Sequence, residues 1–92
     1  MTKLYVGVSR EASQRLLVAR RQGASITYEM RWQGALENLE ALALAILLEH
    51  LGDAEQARKL CAGFARLMAA RLRADFWTLR ESEIAAVVGP LL

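Results

Sequence analysis

Few side chains in this sequence are of the types that do chemistry, and their spacing limits what they can do. His50 and Cys61 are each the sole residue of their kind. Zinc patterns built from several His and Cys ligands are therefore excluded. Cys61 falls within an apolar stretch with helical spacing, where a free cysteine behaves as a small inert hydrophobe rather than a nucleophile. His50 is placed one turn before the end of a helix, where an imidazolium is favoured by the helix dipole and covers terminal carbonyls. Glu37 and Glu40 lie three residues apart on one helix, with no complementary acid or base beside them, and read as a solvated stripe. The Gly residues at 7, 23, 34, 52, 63 and 89 are too scattered for a phosphate-binding loop. No catalytic residue, cofactor or metal is expected, and the chain reads as a non-enzyme.

What remains are charged side chains suited to binding. Arg58, Lys59, Arg66 and Arg73 fall within about a 100° arc when wound at helical pitch, a basic stripe that could follow a phosphate backbone or meet an acidic protein. Arg15, Arg20, Arg21 and Arg31 form a second basic area. Near it, "SITYEMRW" (residues 25–32) alternates Ile26, Tyr28, Met30 and Trp32 with Thr27, Glu29 and Arg31. The large residues are spaced to build a core, which leaves Glu29 and Arg31 on the side where a partner would touch. The candidate partner-binding residues are thus Arg58, Lys59, Arg66, Arg73, Arg31 and Glu29.

Elements that would position these residues are legible in the periodicity. Lys3 to Val8 alternates as a strand, with Leu4, Val6 and Val8 on one face and Tyr5 on the other. Residues 9–22 admit two readings. Ser9 could cap a helix closed by Gly23, or Arg15–Arg20 could be a strand turning at Gln22-Gly23 into residues 25–32. The hairpin is favoured, because two strands alone make a marginal sheet. Ala35–Leu51 then reads as a helix apolar on two sides, with Leu36, Leu39, Ala43, Ile46 and Leu47 on one and Leu44, Leu48 and Leu51 on the other. Gly52 stops it, and Asp53 caps a second helix running to about Arg73, with Gln56 at N3. Ala57, Leu60, Cys61, Phe64, Leu67, Met68 and Leu72 make its apolar face. Thr78-x-x-Glu81 has the form of a capping box and would open a short last helix ending at Gly89-Pro90.

The 92 residues make one domain, and the expected class is α+β: a small antiparallel sheet of two or three N-terminal strands packed on a helical hairpin, with a short C-terminal helix. A share of 54% hydrophobic against 24% charged residues rules out a disordered chain. It also leaves apolar surface for a partner, and the two-sided helix suggests a homodimer. The net charge of +2 hides blocks of +4, −5, +5 and −2 over residues 1–34, 35–57, 58–73 and 74–92. Their near-cancellation argues against both a non-specific polyanion binder and an acidic nucleic-acid mimic. The longest apolar run, Ala41 to Leu48, is too short for a bilayer, which needs about 20 residues. With no signal peptide and one cysteine, a cytoplasmic setting without membrane contact is expected.

The order "YEMRWQG", "LALAILLEHLGD", an Ala-x-x-Leu-x-x-x-Phe helix and "DFWTLRESEI" resembles a family of short proteins of unknown function found in phages and other bacterial mobile elements. The matching residues are Tyr28, Glu29, Gly34, Leu42 to Leu48, His50 to Asp53, Ala57, Leu60, Phe64, Trp77, Leu79, Glu81, Glu83 and Ile84. Before the first long helix this chain has Arg31 to Glu37, where the family tends to carry Gly, Ser and Pro. The resemblance implies a mobile-element accessory protein with no catalytic assignment. The expected function is protein–protein binding to a bacterial host protein or complex, for instance antagonism of a host defence complex in the manner of an anti-CRISPR protein. The alternative is a nucleic-acid-binding accessory factor that uses the basic helix face.

Overall fold

A computed structural model describes residues 3–10, 13–19, 25–30 and 36–92. Three N-terminal strands come first: β1 (Leu4–Arg10), β2 (Ser13–Ala19) and β3 (Ser25–Glu29). Two helices, α1 (Leu36–Leu51) and α2 (Ala54–Leu72), follow as a hairpin. The chain then returns to the sheet as β4 (Phe76–Arg80) and ends in α3 (Glu81–Leu91). The sheet is antiparallel throughout, in the order β3-β2-β1-β4. The class is α+β.

The described part of residues 9–22 takes the hairpin reading, as β2 pairs with β1 on one side and β3 on the other. The Gln22-Gly23 turn, Arg31, Trp32, Gly34 and Ala35 lie outside the described residues. A fourth strand was not expected. The capping-box reading starts the last helix at Thr78, with Leu79 and Arg80 in its first turn. Instead Thr78 stands opposite Val6 in the β1–β4 ladder. Only half of such a box forms, two residues later: the Arg80 backbone N–H donates to Glu83 Oε1 at 2.9 Å, while the Arg80 side chain makes no cap hydrogen bond. The last helix also continues past Gly89-Pro90, because Leu91 packs on the core and its methyls lie over Gly63 of α2.

Period-two alternation decides which face of each strand is dry. Tyr5 on β1, Leu16 and Val18 on β2, and Trp77 and Leu79 on β4 are buried beneath the helices. Opposite them, α1 contributes Leu39, Leu42, Ala43, Ile46 and Leu47, and α2 contributes Ala57, Leu60, Phe64, Ala65, Met68 and Leu72. Ile84 and Val88 of α3 close the same cluster. Leu67, expected on the apolar face of α2, is 64% exposed. Tyr28 and Met30 of the quoted segment pack against this core, as expected of them, whereas Ile26 is only half-buried.

Two glycines matter for this geometry. Gly7 stands opposite Trp77 in the ladder, and a methyl group there would overlap the indole ring, so the ring lies on bare backbone. Gly52 ends α1 with φ at 70°, and its N–H donates to Leu48 O at 3.0 Å. Asp53 then caps α2 by accepting from the N–H groups of Glu55 at 3.0 Å and Gln56 at 3.3 Å.

Candidate interaction surfaces

The basic stripe forms as its spacing requires. Arg58, Lys59, Arg66 and Arg73 are all exposed and lie on the side of α2 opposite its buried residues. From Arg58 to Arg73 the helix advances about 22 Å. Lys59 is partly neutralised by Glu55 one turn earlier, at 3.7 Å. Arg73 is the C-cap residue of α2 and is itself engaged.

Glu29 is on the other side of the molecule. It projects from β3 away from the helices and faces Arg15 of β2 at 3.6 Å across the strand pair. The candidate residues therefore do not converge on one site. Four cations mark the helix side, Glu29 belongs to the bare side of the sheet, and Arg31 lies outside the described residues.

That bare side is the surface that sequence reasoning missed. Leu4, Val6 and Val8 alternate with the buried Tyr5 and Gly7, and so point away from the helices. Leu17 faces Val6 from β2, and Phe76 faces Val8 from β4. None of these five packs against the core cluster. Phe76 is 64% exposed and Leu4 37%, while the others are half-buried among their strand neighbours. Arg15, Thr27, Glu29, Thr78 and Arg80 project from the same side around them. An antiparallel sheet that faces water on one side normally shows polar residues there. Here the centre is apolar and only the margin is polar, which is the make-up of an interaction surface. The alternation of Leu4, Val6 and Val8 was visible in the sequence. Which side the helices would cover was not.

Two polar clusters hold the layers in place. Lys3 Nζ donates to Glu49 O at 2.6 Å and lies 3.5 Å from Glu49 Oε1, while Tyr28 Oη donates to Glu49 Oε2 at 2.7 Å. Glu49, with a side chain 13% exposed, thus ties the end of α1 to Lys3, just before β1, and to β3. At the opposite edge, Arg71 of α2 bonds Glu83 Oε2 of α3 and the Thr78 carbonyl of β4, both at 2.6 Å. The Arg71 guanidinium, and next the Arg80 backbone N–H, hold the Glu83 carboxyl below its ordinary value of 4.5, against an upward push from desolvation.

Cys61 is half-buried against the core and its thiol donates to Arg58 O at 3.4 Å. His50 Nδ1 is buried with no hydrogen-bond partner among the described residues, and the end of α1 is capped by the Gly52 N–H. Among the described residues no three His, Cys, Asp or Glu side chains group to hold a metal ion. No described helix is long and apolar enough to cross a membrane.

The fold and its surfaces thus define a two-layer α+β module with helices on one side of its sheet and an apolar face on the other. A family model covers residues 6–90, nearly the whole chain, and the protein belongs to that family, a family of unknown function designated DUF6166. No curated protein and no solved structure matches it significantly.

Proposed function

We propose that this is a non-catalytic interaction protein that docks a protein partner on the bare face of its sheet. One observation carries the reading: the apolar group of Leu4, Val6, Val8, Leu17 and Phe76, ringed by Arg15, Glu29 and Arg80, that no described helix covers. Burying such a group provides the driving force, at roughly 25 cal/mol per Å² of apolar area. The mixed charges at the margin select the partner. The setting we favour is the bacterial cytoplasm, with a host protein or complex as partner and a phage or other mobile element as source. Antagonism of a host defence complex is the specific form of this proposal. These last points rest on the family resemblance.

Affinity capture from a bacterial host, followed by mass spectrometry, tests the reading when run beside a Phe76→Glu variant. A discrete complex retained by the wild type and lost by the variant supports it; identical recovery by both contradicts it. For the defence role, phage plating on defended hosts should rise when the protein is expressed. Unchanged plating on every defended host contradicts that role.

The stripe on α2 favours a second reading, a nucleic-acid-binding accessory factor. It predicts DNA or RNA affinity that falls steeply with salt and is abolished by Arg66→Glu with Arg73→Glu. Absence of binding at low salt removes this alternative.

A further inference from the structure

The two edges of the sheet differ in what covers them. On β4, the pairs Gly7 with Trp77 and Tyr5 with Leu79 continue from a bond in which the Ser9 N–H donates to Asp75 O at 2.7 Å. By antiparallel alternation the backbone groups of Phe76, Thr78 and Arg80 point outward. The Thr78 carbonyl accepts from Arg71 and the Arg80 N–H donates to Glu83, so side chains from α2 and α3 block this edge.

No such block covers β3 among the described residues. The Met30 N–H donates to Gln14 O at 3.2 Å, which fixes the alternation of the β2–β3 ladder. Tyr28 and Ile26 turn their backbone groups toward β2, while Ser25, Thr27 and Glu29 turn theirs outward. Their side chains are exposed, on the bare side of the sheet.

We propose that a second copy of the chain pairs with this edge, β3 against β3 in antiparallel register, with a two-fold axis at Thr27. The strand is self-complementary in that register. Thr27 meets Thr27 of the partner, and Ser25 meets Glu29 in both directions, so all outward N–H and C=O groups of these three residues are bonded. No charge stands opposite its like, which would be destabilising in a cross-strand pair. Other registers are poorer: sliding by two residues leaves groups unbonded at the ends, and pairing Glu29 with Glu29 opposes two carboxylates.

A five-residue edge alone falls short of the roughly 1,200–2,000 Å² of a stable interface. The same axis supplies more cover on the helix side. The Tyr28–Glu49 bond places the C-terminal end of α1 beside β3. The exposed strip of α1 after Glu37 carries Ala41 and Leu48, flanked by half-buried Leu44, with no charge. Pairing would bring this strip toward its copy and join the two sheets into one of eight strands.

The mass in solution, measured by sedimentation equilibrium across a concentration series, tests the register as well as the dimer. Ser25→Lys places a cation opposite Glu29 twice per dimer and should tighten association roughly twofold to thirtyfold, while Ser25→Glu should weaken it over a similar range. Thr27→Lys, which opposes two lysines on the axis, should also weaken it. Thr27→Pro removes only an outward donor and should leave a folded monomer by circular dichroism. A wild-type chain that stays monomeric throughout the series overturns the proposal. So does a dimer that responds equally to Ser25→Lys and Ser25→Glu, since that dimer would use another surface.

Discussion

Individual residues in this protein act mainly by what their backbone or nearest neighbour requires. Gly52 holds φ at 70° with open space around the position of a Cβ, so Gly52→Ala adds backbone strain and no clash. Thermal or urea unfolding should show a loss of about 1 kcal/mol. Gly7 is the opposite case, ordinary in backbone but covered by the buried Trp77 ring. Gly7→Ala forces the indole aside and should cost about 1–3 kcal/mol, with a change in Trp fluorescence that Gly52→Ala does not produce. Glu83 is held by the Arg71 guanidinium and the Arg80 backbone N–H. Its folded pKa lies below its ordinary 4.5, so its bonds to Arg71 and Arg80 contribute stability that is fully present above that value. The contribution is lost as pH falls through the folded pKa. Glu83→Gln should therefore lower the melting temperature at neutral pH, with the difference from wild type shrinking toward zero in strongly acidic buffer.

At the scale of elements, what could be read in advance was what local chemistry decides. The Gly52-Asp53 break, both long helices, the basic stripe of α2 and the strand character of residues 15–19 follow from caps, turns and periodicity within a few residues. Strand β4 did not emerge in this way. Its partner, β1, lies some 70 residues earlier in the chain, and the local sign Thr78-x-x-Glu81 pointed to a helix start instead. Trp77 and Leu79 do alternate with Phe76, Thr78 and Arg80, yet five residues are too few to outweigh a capping motif without knowing that β1 needs a neighbour. The tie through Glu49 was equally hidden, since a glutamate in the last turn of an amphipathic helix ordinarily faces water. Here its carboxylate accepts the Tyr28 hydroxyl at 2.7 Å. Tyr28→Phe should cost about 0.5–1.5 kcal/mol in unfolding free energy, as expected for one hydrogen bond, with the strand order unchanged.

For the whole molecule, the decisive feature is that two layers are built and no described element covers one face of the sheet. The helices cover the side carrying Tyr5, Leu16, Val18, Trp77 and Leu79, while the sequence is almost as apolar on the other side of β1. The candidate site was legible only in part for that reason. Alternation identified Leu4, Val6 and Val8 as one face, and an apolar face is ordinarily assigned to the core. Only the placement of α1 and α2 shows that the core takes the other face, and Phe76 joins the bare group solely because β4 exists. Glu29 was singled out as a contact residue and does lie on this side, whereas the α2 cations lie across the molecule. The two functional readings thus use opposite surfaces, and one binding measurement separates them. With a captured partner in hand, its affinity should be measured for the wild type, for Phe76→Glu and for Arg66→Glu with Arg73→Glu. Docking on the sheet predicts at least a tenfold loss for Phe76→Glu, the size expected for a central apolar contact, and little change for the helix pair. Full affinity in Phe76→Glu together with loss in the helix pair would contradict the account.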